Sequence, residues 1–346
     1  MLKKRIKLIV RIALFVGTAI SMFFVPWPLV WAWILPLPAT VEEQLDEAIG
    51  HGFDGIIVYV DEAGKPPAYY AAGWHDRGNK IPAYPEALFK IASIGKLYDA
   101  VSIAKLVHSK QLSLDKKLAD YFPELVGRIE NSDEITLRMM VQHRSGIPNF
   151  TSTPNFWTDP PQSAQEALDR ALDLPADFEP GRKYEYSNTN YLLISLLIEK
   201  VTGHSKFQYI KENILTPLHL SNTFGSARDI DMDRLMSGYY VGIEEDIKSA
   251  DYGSLVATAE DVGIFLRALN DGSLFEEGEQ EIYSSIYRYE HTGLIPGYQS
   301  IAKYYKDIDT VVIQFVNTTN FDGYTWNLSE IIYNRVVKIV KKEKRG

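Results

Sequence analysis

The hydrophobic pattern of the chain changes twice along its length, which separates two β-rich ends from a helical middle. Near both ends, short runs of β-branched and aromatic residues predict antiparallel strands. These runs cover residues 55–60, 68–72, 299–305 and 310–316. In the middle, apolar residues recur every three to four positions, which predicts amphipathic helices. The clearest of these helices cover residues 94–108, 164–172, 190–202 and 259–269.

Two more amphipathic helices are predicted to flank the strands, one after a capping box at Thr40 and one over residues 329–342. The pattern therefore predicts an α+β fold: an antiparallel sheet flanked by terminal helices, with an inserted, mostly helical domain. Residues 40–92 and 275–346 would form the sheet domain and residues 93–274 the helical domain. We expect residues 40–346 to act as one catalytic unit.

The first 39 residues predict a membrane segment. Residues 12–39 carry no charge, and they follow a basic cluster made of Lys3, Lys4, Arg5, Lys7 and Arg11. The uncharged run exceeds the roughly 20 residues that span a bilayer, and the preceding basic residues favour a cytoplasmic N-terminus. We therefore expect a single-pass anchor over Ile12–Leu35, with the catalytic domain outside the cytoplasm. A cleaved signal peptide is the alternative, and it leads to the same side of the membrane.

Composition narrows the possible chemistry. The 346-residue chain has a formal net charge of −9, which argues against a general nucleic-acid binder. It has no cysteine, so disulfides, thiolate metal sites and a cysteine nucleophile are excluded. The sequence contains neither an HExxH pair nor a glycine-rich phosphate loop. We therefore expect no metal and no cofactor, and covalent catalysis must use an oxygen nucleophile or a lysine.

The tetrapeptide Ser-x-x-Lys points to serine chemistry, because it places a hydroxyl and an amine one helical turn apart. A partly desolvated lysine can act as a base toward that hydroxyl. The chain contains four such pairs: Ser93–Lys96, Ser102–Lys105, Ser113–Lys116 and Ser300–Lys303. Ser93 stands at the start of a predicted helix, where free backbone N–H groups favour developing negative charge. The other three serines lie in a helix interior, a turn and a strand, so Ser93 is the candidate nucleophile.

Two further motifs raise the case for an active site. Tyr186-Ser187-Asn188 is the one Tyr-x-Asn sequence of the chain, and His291-Thr292-Gly293 is its one [His/Lys]-Thr-Gly sequence. A tyrosine can relay a proton, an asparagine amide can hold a carbonyl, and a strand edge can bind an extended substrate. Each motif also has a structural explanation: a core aromatic for Tyr186, a helix N-cap for Asn188 and a turn residue for His291. The order and spacing of the three motifs favour a common site.

Taken together, these motifs resemble the serine β-lactamase and penicillin-binding protein family, specifically its class C and D-Ala-D-Ala carboxypeptidase branch. The resemblance covers about residues 55–317 and implies a β-lactamase/transpeptidase-like fold. The segments that support it are 88–96, 142–148, 179–181, 186–191, 253–261 and 291–298.

The resemblance implies an acyl-enzyme mechanism, in which Ser93 attacks a carbonyl while Lys96 and Tyr186 manage its proton. It also implies an oxyanion hole formed by the backbone N–H groups of Ser93 and Leu294. The substrate-binding residues that it implies are Asn188, His291, Thr292, Gly293 and Leu294.

The sequence departs from the family pattern at three positions. His291 replaces the lysine of many β-lactamases, which weakens recognition of a substrate carboxylate because histidine is mostly neutral at pH 7. Leu97 replaces a small hydroxylated residue, and Ser254 replaces a second glycine. We expect activity to rise as His291 loses its proton, near an ordinary pKa of about 6.5 or lower beside a charged Lys96.

The expected function is that of a membrane-anchored serine hydrolase acting on cell-envelope material, such as a D-Ala-D-Ala peptide or a D-amino-acid ester. One alternative is a catalytically idle penicillin-binding-like protein that binds wall fragments, and another is a class C-type β-lactamase. The presence of Ser93, Lys96, Tyr186 and His291 favours an enzyme over an idle protein. The expected partners are the envelope substrate and the membrane, with no nucleic acid, and no oligomeric state is predicted.

Overall fold

The computed structural model describes residues 2–344, with side chains from Lys4 onward, so that Lys3 of the predicted basic cluster lies outside the described side chains. The helices are α1 (Leu2–Met22), α2 (Trp27–Ile34), α3 (Val41–Gly50), α4 (Gly95–His108), α5 (Leu118–Tyr121), α6 (Leu137–Val141), α7 (Ala164–Asp169), α8 (Asn188–Thr202), α9 (Lys206–Ile210), α10 (Ala259–Asp271), α11 (Glu279–Ile286) and α12 (Thr325–Glu343). The strands are β1 (Gly55–Glu62), β2 (Ala68–Asp76), β3 (Ile81–Pro82), β4 (Phe89–Lys90), β5 (Thr223–Phe224), β6 (Tyr239–Tyr240), β7 (Val256–Ala257), β8 (His291–Ile295), β9 (Tyr298–Tyr305), β10 (Thr310–Val316) and β11 (Thr318–Thr319).

A six-stranded antiparallel sheet has the strand order β3-β2-β1-β10-β9-β8. Its middle pair, β1 and β10, joins two distant parts of the chain, with Ile56 opposite Val316. Two small sheets, β4-β7-β5 and β11-β6, lie outside it. The predicted α+β fold is confirmed, including a sheet built from both ends of the chain.

Alternate residues of β1 face two different cores, because successive side chains of a strand point to opposite faces. Ile56 and Val58 pack with residues of α3 and α12 in one cluster. Ile57 and Tyr59 belong to the larger cluster that includes α4, α8 and α10. Since both faces of the sheet are covered, its central strands are apolar throughout rather than alternating.

The N-terminal segment, basic cluster and uncharged run together, forms two helices. The chain leaves α1 at Met22 and starts α2 at Trp27, with Pro26 as N-cap and Pro28 in the first turn. Proline cannot donate the N–H that would continue the preceding helix, which explains the break at this point. No single helix among residues 2–344 is long and apolar enough to cross a membrane. Lys4–Met22 and α2 meet the requirements of length and composition only as a pair, and the break between them bends this pair by 84°.

The segment after the break is packed against the closing helix of the sheet domain. Ala32 of α2 is fully buried in the cluster that contains α3 and α12. Arg335 of α12 donates to the carbonyl oxygens of Leu35 and Pro36, at 2.8 and 2.9 Å. One face of α2 is therefore part of the folded domain. Trp33, also in α2, remains 76% exposed.

The His291-Thr292-Gly293 motif forms a strand of its own, β8, whereas the sequence predicted only the strand pair that follows it. A Pro296-Gly297 turn joins β8 to β9, and the φ of 81° at Gly297 is typical of a type II turn. Five residues with a central glycine give no alternating pattern, which explains why the sequence did not predict this strand. Because β8 is the edge of the sheet, it has a side that no other strand covers.

Candidate active site

Ser93 lies in a 3-10 turn, Ala92–Ile94, that leads directly into α4. The φ of Ala92 is 50°, a left-handed conformation that costs a non-glycine residue about 1 kcal/mol. The Ala92 N–H donates to Ser254 Oγ at 2.8 Å, and Ser300 Oγ donates to the Ile91 carbonyl at 3.1 Å. Two other segments thus hold the strained turn, and Ser254, which departs from the family pattern, is one of these supports.

Ser93 Oγ lies at the centre of a chain of hydrogen bonds. The Tyr186 hydroxyl donates to it at 2.7 Å, and Lys96 Nζ donates to it at 3.1 Å. Lys96 Nζ also donates to Asn188 Oδ1 at 2.9 Å, and Asn188 Nδ2 donates to Thr151 Oγ1 at 3.0 Å. The structure therefore brings together the three residues predicted to be catalytic and one of those predicted to bind substrate.

Lys96 is 8% exposed, and it forms no ion pair with any carboxylate among residues 2–344. Its ammonium instead lies 5.0 Å from the ring centroid of Tyr186 and 5.4 Å from that of Tyr191. His143 stacks on both of these rings, at centroid distances of 4.4 and 5.0 Å. The three stacked rings fix the position of the Tyr186 phenol relative to the cation, and cation–π attraction partly replaces the missing counter-ion.

His143 contributes a neutral ring to this stack. Burial and the nearby charge of Lys96 lower its pKa to about 3. Its Nδ1 accepts a hydrogen bond from the Ser187 N–H at 3.2 Å, so the neutral ring carries its hydrogen on Nε2. At neutral pH the stack therefore adds no positive charge beside Lys96.

His291 is buried at the start of β8, with its ring 6.5 Å from the Tyr186 ring and stacked on Tyr287 at 5.9 Å. Burial and the charge of Lys96 lower the pKa of His291 to about 3. Its Nδ1–H donates to the Thr292 carbonyl, which leaves Nε2 as an acceptor. His291 is therefore neutral at pH 7, as expected, and its pKa is lowered in the direction expected beside a charged Lys96, although burial, which the sequence does not show, is the larger cause.

This burial predicts a specific dependence of stability on pH. The unfolded chain binds a proton at His291 near pH 6.5, whereas the folded chain binds it only near pH 3. The contribution of His291 to the unfolding free energy is therefore fully present above pH 6.5 and is lost as the pH falls toward 3. Between pH 6.5 and 5 the wild-type protein should lose about 2 kcal/mol of unfolding free energy at this position. Urea unfolding of the wild type and of His291→Gln at both pH values measures the difference. An equal loss in the two proteins would contradict the burial of His291.

The edge strand β8 places the remaining predicted residues beside the nucleophile. Thr292 is half-buried and Leu294 is 37% exposed, and both line the cavity that contains Ser93. A Cβ atom at Gly293 would lie 2.4 Å from both the Ile91 carbonyl oxygen and Ser300 Oγ. Only glycine lets the strand approach the nucleophile turn this closely.

The cavity around Ser93 measures about 1210 Å³. Aromatic side chains form one of its walls: Phe150, Phe156, Trp157 and Tyr252. Neighbouring rings in this wall meet edge to face, with centroids 4.7 to 5.6 Å apart. The cavity is thus larger than the hydrogen-bonded residues around Ser93 alone would need. Its aromatic wall suits an apolar group of a substrate.

Sequence reasoning assigned no role to Thr151, His143 or Tyr191. The sequence spacing could have indicated Tyr191 as a site residue, because it lies three residues after Asn188 on α8 and therefore on the same helix face. His143 belongs to a segment that supported the family resemblance, but Thr151 had no local signal. Asn188 is not the helix N-cap that the sequence offered as its alternative role, because the N-cap of α8 is Ser187.

One group of potential metal ligands occurs among residues 2–344, made of His108, Glu276 and Glu279, whose ligand atoms lie within 4.8 Å of one another. None of the three lines the Ser93 cavity. Glu279 is already paired with Lys105 at 2.7 Å, and its carboxylate also accepts from the Glu276 N–H at 2.9 Å. We therefore assign no role in the candidate site to this group.

The chain belongs to the Beta-lactamase family, whose sequence pattern matches residues 38–285. It is 27% identical over 188 residues to protein flp of Staphylococcus aureus (strain N315), which covers 53% of this chain and 38% of that protein. It is also 27% identical over 216 residues to penicillin-binding protein 4* of Bacillus subtilis (strain 168), which covers 61% of this chain and 46% of that protein. The chain thus spans less than half the length of these relatives, and the family predicted from its motifs is confirmed.

Solved structures share the fold over nearly the whole chain. A D-amino acid amidase from Ochrobactrum anthropi SV3 superposes with a TM-score of 0.78 at 23% identity, covering 88% of this chain and 99% of that one. A penicillin binding protein from Bacillus halodurans gives 0.72 at 20% identity, covering 87% and 99%. At these identities the likeness establishes the common architecture.

Proposed function

We propose that the protein is a serine hydrolase that works through an acyl-enzyme. The observation that carries this proposal is the hydrogen-bonded chain from Tyr186 through Ser93 to Lys96. It gives one hydroxyl two neighbours that can take its proton, beside a cavity large enough for a substrate. An idle binding protein would not need a buried lysine without an ion pair, since burying such a charge costs stability.

In the first half of the reaction, Ser93 Oγ forms a bond to the carbonyl carbon of an ester or amide. Lys96 and Tyr186 act together as the base that accepts the proton of Ser93. The bond from the carbonyl carbon to the leaving oxygen or nitrogen then breaks, and the pair returns the proton to that atom. Lys96 stabilises the negative charge on the tyrosine oxygen, because its ammonium is held close to the phenol.

The developing oxyanion would be stabilised by the backbone N–H groups of Ser93 and Leu294. Ser93 lies at the start of a helix, where the dipole favours negative charge, and Leu294 lies on the adjacent edge strand. The same edge can hydrogen-bond an extended substrate backbone, as in β-augmentation. The amide of Asn188 remains close to Lys96 to hold the acyl group.

In the second half, water replaces the leaving group and attacks the acyl carbon. The Lys96–Tyr186 pair accepts a proton from this water and returns it to Ser93 as the acyl bond breaks. Neutral His291, whose ring lies 6.5 Å from that of Tyr186 and whose Nε2 is an acceptor, orients the leaving group or the water. His291 does so without adding a charge to the site.

For the substrate, we propose a cell-envelope compound with a D-amino acid: a D-Ala-D-Ala peptide or a D-amino-acid ester. Support comes from the names of similar proteins, which include a D-amino acid amidase and penicillin-binding proteins. The aromatic wall of the cavity would receive an apolar group on the acyl side.

Hydrolysis assays test this proposal. Purified protein is incubated with a D-Ala-D-Ala peptide, a D-phenylalanine ester, its L enantiomer and a penicillin. We expect turnover of a D substrate that exceeds turnover of its L enantiomer and that disappears in Ser93→Ala. Activity of equal size in Ser93→Ala, or no turnover of any compound, would refute it; fast turnover of penicillin alone would instead favour a class C-type β-lactamase.

We also propose that the catalytic domain is held at the outer surface of a cell membrane by the N-terminal segment. Support comes from the basic residues ahead of the uncharged run and from the exposure of apolar side chains such as Phe23 (88%) and Phe24 (82%) between α1 and α2. Mass spectrometry of the protein in washed membranes tests this proposal. We expect an intact N-terminus, and a mature N-terminus near Thr40 would contradict an anchor.

A further inference from the structure

The side-chain amide of Asn188 has two neighbours with opposite requirements. Lys96 Nζ offers only donors, and it donates to Asn188 Oδ1 at 2.9 Å. The other end of the amide, Nδ2, is itself a donor, and Thr151 Oγ1 accepts from it at 3.0 Å. The amide is therefore held at both ends, and exchanging its oxygen and nitrogen would turn N–H groups toward the Lys96 ammonium.

Asn149 fixes the backbone on both sides of this contact. Its Oδ1 accepts from the Asn188 N–H at 3.0 Å and from the Thr151 N–H at 3.3 Å. Ser187, the N-cap of α8, makes no side-chain capping bond, so Asn149 satisfies the first N–H of this helix instead. One amide oxygen thus holds the backbones of Thr151 and Asn188 beside each other.

Thr189, the next residue of α8, adds two hydrogen bonds to the same segment. Its hydroxyl donates to the Pro148 carbonyl at 2.6 Å and accepts from the Phe150 N–H at 3.0 Å. Thr189 is fully buried, so water does not compete for these bonds. The backbone around Thr151 is therefore held without the Thr151 hydroxyl, and the fold does not depend on that hydroxyl.

The Thr151 hydroxyl is connected to the nucleophile through two other side chains. Thr151 lies in the 3-10 turn Phe150–Ser152, where it is half-buried and lines the Ser93 cavity. Within residues 2–344, the hydrogen-bond acceptors of the Lys96 ammonium are Asn188 Oδ1 and Ser93 Oγ. A displacement of the Asn188 amide would therefore move the ammonium relative to the nucleophile.

We propose that Thr151 is a positioning residue: its hydroxyl holds the Asn188 amide in place, and this amide keeps Lys96 against Ser93. The inference rests on the proposed serine hydrolase function, because it concerns the proton transfer from Ser93. Thr151 takes no proton itself and acts through Asn188. Loss of its hydroxyl should therefore slow the chemical step at Ser93 rather than weaken the binding of a reagent in the cavity.

The kinetics of covalent labelling test this inference without a known substrate. A fluorescent fluorophosphonate is reacted at increasing concentration with the wild type, Thr151→Val, Thr151→Ser and Thr153→Val. Its limiting rate is separated from the concentration that gives half of that rate. Valine has the shape of threonine without the hydroxyl, whereas serine retains the hydroxyl. Thr153→Val is a matched control, because Thr153 follows the same turn, donates to the Phe150 carbonyl at 2.7 Å and does not line the cavity.

We expect Thr151→Val to lower the limiting rate roughly 10-fold, about the factor that one hydrogen bond contributes, and to leave the half-saturating concentration unchanged. Thr151→Ser should restore most of the limiting rate, and Thr153→Val should match the wild type. In an Asn188→Ala background, Thr151→Val should cause no further loss, because the hydroxyl acts through the amide.

A limiting rate of Thr151→Val equal to that of the wild type would overturn the inference. So would an equal loss in Thr151→Ser or Thr153→Val, a change confined to the half-saturating concentration, or the full loss in the Asn188→Ala background. Absence of any Ser93 adduct in the wild type would refute the proposed function instead, so the two failures are distinguishable.

Discussion

The Lys96→Met variant should lose roughly 10³-fold in kcat/KM while remaining folded, because general acid–base groups typically contribute 10²- to 10⁴-fold. Methionine retains the length and apolar stem of lysine but has no amine, so the Lys96–Tyr186 pair can no longer accept the proton of Ser93. Lys96 is buried without an ion pair, so its removal leaves no unpaired carboxylate behind. We therefore expect the thermal midpoint of Lys96→Met to equal or exceed that of the wild type.

The chain contains its own control for this variant. Lys116 belongs to another Ser-x-x-Lys sequence but is exposed and lies outside the Ser93 cavity. Lys116→Met should keep wild-type activity in the same assay. If Lys96→Met retained more than a tenth of the wild-type kcat/KM, Lys96 would not be part of the base.

The second large effect is expected at Gly293. An alanine Cβ there would lie 2.4 Å from the Ile91 carbonyl oxygen, so β8 and the nucleophile turn must move apart. A displacement of about 1 Å at a reacting centre costs on the order of 10²-fold, which is the loss of kcat expected for Gly293→Ala. Steady-state kinetics measures this loss.

Two comparisons make the Gly293→Ala prediction specific. Gly50→Ala introduces the same methyl group where no atom lies within 4 Å, and it should leave kcat unchanged. Adding Ser300→Ala to Gly293→Ala removes one of the two close contacts but not the one with the Ile91 backbone, so activity should not recover. Recovery in this double variant, or an unaffected Gly293→Ala, would show that β8 does not set the geometry of the nucleophile.

The central site residues could be predicted from the sequence because their relations are local or belong to short motifs. Ser93 and Lys96 are one helical turn apart, and this spacing brings their side chains together in the structure. The apolar runs near both chain ends predicted an antiparallel sheet built from the two ends, and the structure has one. The sequence therefore predicts those contacts and elements that depend on residues close together in the chain.

Other features depend on packing between distant segments, which no single stretch of sequence reveals. Thr151 contacts Asn188 across 37 positions, and Ser254 supports Ala92 across 162. The pKa of His291 depends on burial beneath several elements, so its value could not follow from the motif alone. No local pattern reveals the two ion pairs that line the Ser93 cavity, Asp99 with Lys206 and Asp251 with Arg228.

Covalent labelling tests the central claim, that Ser93 is the nucleophile, most directly. Purified protein is treated with a fluorescent fluorophosphonate and a fluorescent penicillin, and the modified residue is located by peptide mass spectrometry. We predict a single adduct on Ser93, absent from Ser93→Ala although that variant gives the same circular dichroism spectrum as the wild type. An adduct on any other residue, or labelling of Ser93→Ala at the wild-type level, would contradict the account.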